Sequence, residues 1–165
     1  MGAPLYIAWN GDTSALTAAP TAVATGTSLK TMLQVRPGSN SKIRIVEWGY
    51  SFDVTPTAVV KVELISTGTV YATVTSIGSG IRLYNDVTGG SSLAQTGTTH
   101  TGFTATAEGT VTSSRLLAYQ HEWSHQFKQQ FPLGREPEVA ADSSLRIRAT
   151  TATTINMSCY VVWEE

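Results

Sequence analysis

The stretch Lys42-Ile-Arg-Ile-Val-Glu-Trp-Gly-Tyr-Ser-Phe-Asp53 decides the fold, because it is the densest run of β-branched and aromatic residues in the chain. It contains no proline, and turn-forming residues bound it at 37–41 and 55–57, which predicts one long buried strand. Its two isoleucines have odd numbers and its three aromatic residues have even numbers, whereas a strand with one buried face keeps one parity. Either both faces are covered, or a β-bulge at Val46–Glu47 re-aims the aromatic side chains. We predict the bulge, with Glu47 outside the aromatic cluster.

The composition extends this prediction to the whole chain. A chain of 165 residues forms one domain by default and buries about 70% of its unfolded surface. Charged residues make up 14%, against an average of about 25%, and Thr, Ser and Gly take their place. Thr favours strands, and Gly and Ser favour turns. We therefore predict a single all-β domain over residues 1–165, an antiparallel β-sandwich of the jelly-roll type with about seven to ten strands.

The low charge also limits the partners. The net charge is −1 and no Lys/Arg cluster exists, so we expect no nucleic-acid partner. No apolar run reaches the length of a membrane span, and no secretory signal is visible, so we expect synthesis in a cytoplasm and no membrane. The single Cys159 excludes an intrachain disulfide and is expected in the core. A surface this poor in charge predicts a homo-oligomer.

Two segments stand apart from the regular strands. Residues 1–27 contain a short apolar run, Leu5–Trp9, which predicts a first edge strand, and then Ala/Thr-rich sequence. We expect the latter to be an extended arm that orders against a neighbouring subunit. Residues 66–109 are rich in glycine and predict either an elaborated loop region or a projecting surface. If the protein contacts something outside its own assembly, we expect the contact here or at the arm. Farther along, Arg146 and Arg148 alternate with apolar residues, and we expect them to pair with neighbouring carboxylates.

The stretch from Leu117 to Phe131 alternates large and mostly polar residues with strict period two over fifteen residues. Its aromatic residues also recur every four positions, so an amphipathic helix is the competing interpretation. The strand is favoured because it accounts for the intervening non-aliphatic residues as well. One straight strand of this length would span about 50 Å, so we predict a bend or bulge inside it.

Within this stretch, His121, Glu122 and His125 match the metalloprotease pattern His-Glu-x-x-His. That chemistry requires a helix, where the two histidines share a face and bind one zinc while the Glu acts as general base. On a strand the histidines lie about 13 Å apart and the Glu points away from them. We interpret the match as coincidental and predict no metal, no cofactor and no enzymatic activity, since no other catalytic motif is present.

Exposed aromatic side chains on a β-sandwich can stack on sugars. Tyr71, Tyr84 and Trp123 therefore permit a lectin-like, glycan-binding interpretation. The alternative, which we favour, places these aromatic residues in the core or in a subunit interface.

Three segments resemble parts of small virion proteins of tailed bacteriophages and prophages: Lys42–Asp53, Gln130–Val139 and Tyr160–Glu165, together roughly a fifth of the chain. The resemblance is strongest to capsid-decoration (cement) proteins, which are jelly-roll β-sandwiches and typically trimers. It implies a protein on the capsid surface of the virion, made in the host cytoplasm, that stabilises the capsid by binding between major capsid subunits. It supplies no catalytic residues. The alternative is the receptor- or glycan-binding head of a tail fibre or spike.

The residues that we predict to contact another subunit or the capsid combine the loop after the alternating stretch with two tyrosines of the glycine-rich region. They are Phe131, Leu133, Arg135, Glu136, Tyr71 and Tyr84.

Overall fold

A computed structural model describes residues 3–12, 18–85, 88–111 and 114–165. All regular elements in these ranges are β-strands, which confirms the all-β prediction. The strands are β1 (Leu5–Trp9), β2 (Lys30–Val35), β3 (Ile43–Phe52), β4 (Val60–Thr67), β5 (Thr73–Ser76), β6 (Arg82–Leu83), β7 (Gly102–Ala107), β8 (Ser114–Glu122), β9 (Gln126–Gln130), β10 (Glu138–Val139), β11 (Ser144–Thr151) and β12 (Met157–Glu164). There are more of them than the predicted seven to ten, partly because β6 and β10 have only two residues each.

The described strands form two antiparallel sheets that face each other across one core. In the first sheet β9 and β10 both pair with β3, which is followed by β12, β1 and β6. In the second sheet the order is β5-β7-β2-β11-β4-β8. The chain crosses between the sheets after β1, β2, β3, β5, β6, β8, β10 and β11, and this alternation is typical of a jelly-roll-like sandwich. The predicted antiparallel β-sandwich is therefore confirmed.

The strand β3 carries the predicted bulge. Its pairing with β12 joins Ile45 to Trp163 and Glu47 to Val162, so that Val46 is the extra residue. The bulge restores a single inward face, and the isoleucines and aromatic residues of β3 all enter the core. Glu47 is only 8% exposed, but it lies on the opposite face. There the Tyr160 hydroxyl donates to its carboxylate at 2.6 Å.

Large side chains from both sheets fill the core. Trp48 of β3 and Trp163 of β12 are completely buried. The Trp48 ring lies 5.7 Å from that of Tyr50 and 5.3 Å from that of Phe127, and its indole N–H donates to Gln129 Oε1 at 3.1 Å. Cys159 is a buried core residue, as predicted, and burial raises the pKa of its thiol. Within the first sheet, β3 is thus joined to β9 through aromatic packing as well as through backbone hydrogen bonds.

The N-terminal segment lies against its own domain. β1 is not an edge strand over its whole length, because it pairs with β12 on one side and with the short β6 on the other. The described part of the predicted arm is extended, but Val23 is buried in the core of the same chain. The amide of Met157 donates to the Val23 carbonyl at 2.9 Å, and Ala24 forms a bridge with Asn156. Residues 13–17 of the arm lie outside the described residues.

Part of the glycine-rich region covers the outer face of the second sheet. Arg146 of β11 is fully buried beneath it. Its guanidinium donates to the carbonyl oxygens of Val70 and Glu108, and its Nη1 lies 3.5 Å from the Glu108 carboxylate. Arg148 pairs with Glu63 on the same face. The predicted pairing of both arginines with carboxylates is confirmed, and the Arg146 contacts hold two loop segments onto the sheet.

Candidate functional site

The alternating stretch is a strand that changes sheets. β8 pairs with β4 in the second sheet, whereas β9 pairs with β3 in the first. The residues between them, Trp123–His125, form a corner that connects the two sheets. Leu117 is an additional bulged residue, since Leu116 and Ala118 pair with consecutive residues of β4. The strand interpretation and the predicted bend are confirmed, and the competing helix is excluded.

The His-Glu-x-x-His residues have other partners in this corner. His121 lies near the end of β8, and its Nε2 is 2.8 Å from the Tyr119 hydroxyl. His125 Nε2 lies 2.5 Å from the hydroxyl of Thr55, which belongs to the loop that joins β3 to β4. Within the described residues, no three His, Cys, Asp or Glu side chains come together in a way that could hold a metal ion.

Glu122 organises the corner. One carboxylate oxygen accepts hydrogen bonds from the amides of Trp123 at 3.0 Å and Ser124 at 2.6 Å, and from the Ser124 hydroxyl at 2.5 Å. The other accepts from the Tyr50 hydroxyl at 3.2 Å. Burial by itself raises the pKa of Glu122, but these hydrogen bonds outweigh it, and the pKa lies below its usual value. The carboxylate is therefore kept charged as a structural acceptor.

Because the pKa of Glu122 is lowered in the folded state, its contribution to stability is present above the unfolded pKa of about 4.3 and is lost as the pH falls through the folded pKa. We expect Glu122→Gln to be less stable than the wild type at neutral pH, with the difference narrowing in acid. Urea unfolding from about pH 7 to about pH 3 measures it. Ser124→Ala keeps the carboxylate but removes one of its donors. We expect the stability difference between this variant and the wild type to change less with pH than the difference for Glu122→Gln. A difference that stays constant with pH would contradict this role.

The β8–β9 edge, meaning β8, the corner and β9, is the outstanding surface feature. Among the described strands β8 pairs only with β4 and β9 only with β3, so each leaves one row of backbone groups unpaired. Leu116, Tyr119 and Trp123 are 61%, 43% and 59% exposed along it. Natural edge strands are usually shielded by charges, prolines or a covering element, because an open edge invites pairing with another chain. This edge has the properties of an association surface.

The predicted contact loop follows β9. The Phe131 amide donates to the carbonyl of the bulged Val46 at 2.9 Å, and the Phe131 ring packs partly against the core. A turn then closes with the Arg135 amide donating to the Pro132 carbonyl at 3.0 Å. Leu133 at its tip is 95% exposed. Leu133 and Arg135 are therefore accessible for contact, while Phe131 and Glu136 are partly buried.

The two predicted tyrosine contacts lie elsewhere. Tyr71 belongs to the cover of the second sheet, where the Arg36 guanidinium lies 4.0 Å above its ring and its hydroxyl donates to the Asp142 carbonyl. Tyr84 is 54% exposed and its amide donates to the Leu5 carbonyl beside the first sheet. No hydrogen bond or ring contact among the described residues joins them to Trp123. The structure does not bring the three aromatic residues into one glycan site.

Two surface features were not predicted from the sequence. Leu116 is exposed because the bulge at Leu117 changes the facing of the residues before it, and no local signal marks that bulge. On the outer face of the first sheet, Trp9 stacks on Tyr160 with ring centroids 4.5 Å apart. Tyr160 covers Gly49, where an added Cβ would lie 2.8 Å from its ring. Glycine within an aromatic strand is the signal that could have indicated this contact.

Comparison with known proteins gives no relative from which a role could be transferred. We found no match to this chain among protein-family models, curated proteins or solved structures. The part of the chain that the structure describes contains no helix of the length and apolarity that a membrane span requires. The structural arguments for a function therefore come from the geometry of the described residues.

Proposed function

We propose that this protein is a non-enzymatic structural subunit of a bacteriophage virion, a homotrimer that decorates the capsid and stabilises it by binding between major capsid subunits. The observation that carries the proposal is the β8–β9 edge, which combines unpaired backbone groups with exposed apolar side chains. The location in a virion and the capsid partner are inferred from the resemblance to capsid-decoration proteins.

The energetics of the edge support association. Fully burying one large apolar side chain contributes about 1.5–3 kcal/mol, so covering Leu116, Tyr119 and Trp123 together is a substantial driving force. The edge carries three charged side chains, Arg115, Glu122 and Lys128; Lys128 already pairs with Glu47, and the Glu122 carboxylate already accepts hydrogen bonds within the corner. Leu133 adds an apolar contact on a short closed turn.

The rigidity of the domain supports a scaffold role. Two sheets share one densely packed core, and the loops that cover the second sheet are held by the buried Arg146. A rigid unit loses little conformational entropy when it binds, and several contacts acting together raise the effective affinity steeply. These are the properties that bridging between neighbouring capsid subunits requires.

Light scattering at micromolar concentration tests the assembly. We expect a mass near three times 17.6 kDa for the wild type. Replacing both Leu116 and Tyr119 by lysine places two charges on the edge and is expected to lower the mass to that of one chain. Leu29→Lys, at a position 41% exposed outside the edge, is the matched control and is expected to keep the wild-type mass. A wild-type monomer, or a double variant with unchanged mass, would contradict the proposed assembly.

A second candidate function is the receptor- or glycan-binding head of a tail fibre or spike, which the exposure of Trp123 and Tyr84 favours. Co-sedimentation with expanded, undecorated phage capsids and a glycan array separate the two candidates. Saturable capsid binding that the double lysine variant loses is expected for a decoration protein. Specific glycan binding without capsid binding would overturn the capsid role in favour of the spike.

A further inference from the structure

A surface cavity of about 440 Å³ lies beside the turn that joins β2 to β3. We call it the Arg36 cavity; Arg36, turn residues 38–41, Leu93, Gln95 and Asp142 line it. Its volume lies within the range of roughly 300–1,000 Å³ that is usual for small-molecule pockets. None of its residues belongs to the β8–β9 edge, so it is separate from the proposed assembly surface.

An ion pair forms the polar part of the cavity. Arg36 Nη2 lies 3.2 Å from Asp142 Oδ1, and the two side chains are 15% and 44% exposed. The side-chain amide nitrogen of Gln95 lies 3.5 Å from the same oxygen. The Tyr71 ring supports the guanidinium from below at 4.0 Å. The pair carries no net charge, yet it presents strong hydrogen-bond donors and a carboxylate acceptor side by side.

The cavity wall has unused hydrogen-bonding capacity. Arg36 Nε and Ser41 Oγ are both buried, and neither has a hydrogen-bond partner among the described residues. A buried polar group without a partner lowers the stability of the free protein. A hydroxyl-bearing ligand supplies such partners when the turn at 38–41 moves enough to expose these two atoms, whereas an apolar ligand does not.

The walls are held in place by contacts from distant parts of the chain. The Leu93 amide donates to the Glu165 carboxylate at 2.7 Å, and the Gln95 amide donates to the Arg36 carbonyl at 3.0 Å. Asp142 has a left-handed backbone with φ of 55°, and its carbonyl accepts from the Tyr71 hydroxyl. Groups fixed in this way lose little entropy when a ligand binds.

We propose that the Arg36 cavity binds a neutral, polyhydroxylated ligand, namely a sugar ring of a surface glycan. Adjacent sugar hydroxyls both donate and accept, which matches the paired guanidinium and carboxylate. An anion would meet the Asp142 carboxylate, and a cation would meet the Arg36 guanidinium. Leu93, whose side chain is 64% exposed, offers an apolar surface for the C–H face of the ring. This inference does not depend on the capsid role.

Titration of the ¹⁵N-labelled full chain with the methyl glycosides of glucose, galactose, mannose and N-acetylglucosamine tests the site. We expect saturable shifts of the Ser39, Asn40 and Gln95 amides with at least one glycoside. Asp142→Asn retains the size of the side chain and tolerates the left-handed backbone, but it removes the charge. We expect it to weaken binding at least about tenfold. Asp53→Asn, which changes a carboxylate outside the cavity that accepts from Asn156, is the matched control and should bind as the wild type does.

Three results would overturn the proposal. The first is that no glycoside produces saturable shifts at the cavity amides. The second is that Asp142→Asn binds as tightly as the wild type while its spectrum remains that of the folded protein. The third is that inorganic phosphate, added as the anionic probe, produces the saturable shifts and the glycosides do not.

Discussion

Replacing Arg146 by methionine is expected to lower the free energy of unfolding by about 3–5 kcal/mol, because the variant leaves buried polar groups without their charged partner. The Arg146 side chain is completely buried and interacts with Val70 and with Glu108, whose carboxylate also accepts from the Thr31 amide at 2.5 Å. Methionine fills much of the volume but donates no hydrogen bond. In a domain of this size, such a loss corresponds to a decrease in Tm of roughly 10 °C.

Arg44→Met is the matched control for this prediction. Arg44 lies on the exposed face of the first sheet, with its side chain 46% exposed, and pairs with Glu164 at 3.0 Å. An exposed ion pair contributes about 0–1 kcal/mol, so this variant is expected to remain close to the wild type in urea unfolding. If Arg146→Met and Arg44→Met lose the same small amount, the guanidinium does not hold the cover of the second sheet.

Replacing Trp48 by alanine is expected to lower the free energy of unfolding by about 3–5 kcal/mol through the cavity it leaves. Trp48 has no exposed surface, and it joins β3 to β9 through the Phe127 ring and the Gln129 side chain. Trp48→Phe keeps part of the packing and is expected to lose less. Urea unfolding followed by circular dichroism measures all three proteins.

Trp123→Ala makes the same chemical change on the surface. Because Trp123 is 59% exposed, we expect little change in the stability of the isolated domain and weaker self-association. A loss of domain stability as large as that of Trp48→Ala would show that the corner, and not the core, carries the packing of β9.

Local patterns of side chains in the sequence were sufficient to predict several elements of this fold. The parity change in Lys42–Asp53 was sufficient to predict a bulge at Val46, because side-chain facing in a strand follows sequence position directly. The strand over Leu117–Phe131 was predicted for the same reason. Its corner could be expected from the length of the stretch, but the residues 123–125 that form it were not identified. The sequence keeps one parity throughout, whereas the facing reverses at the corner: Tyr119 is exposed on β8 and Phe127 is partly buried on β9.

Other features depend on contacts between distant residues. The burial of Arg146 results from Val70 and Glu108 folding over its sheet, and the pairing of Arg146 with carboxylates was predictable whereas its burial was not. Similarly, the predicted arm lies against its own domain because Val23 meets residues near the C-terminus. The composition of an Ala/Thr-rich segment does not encode that partner.

One of the candidate surfaces was predictable from the sequence, and the other was not. Leu133 and Arg135 were recognisable because a loop rich in proline and glycine presents its side chains to solvent. The Arg36 cavity was not, because Arg36, Leu93 and Asp142 come from three separate segments. Only the folded chain brings these segments together.

The pairing of β1 with β12 has a consequence for how the domain folds and how it can be re-engineered. Leu5 lies opposite Glu164, so the two ends of the described chain are neighbours in one sheet. β1 and β12 lie far apart along the chain, and such non-local pairing favours slow folding. Neighbouring ends also make the domain suitable for circular permutation, with a short linker joining them and new ends placed in an exposed loop.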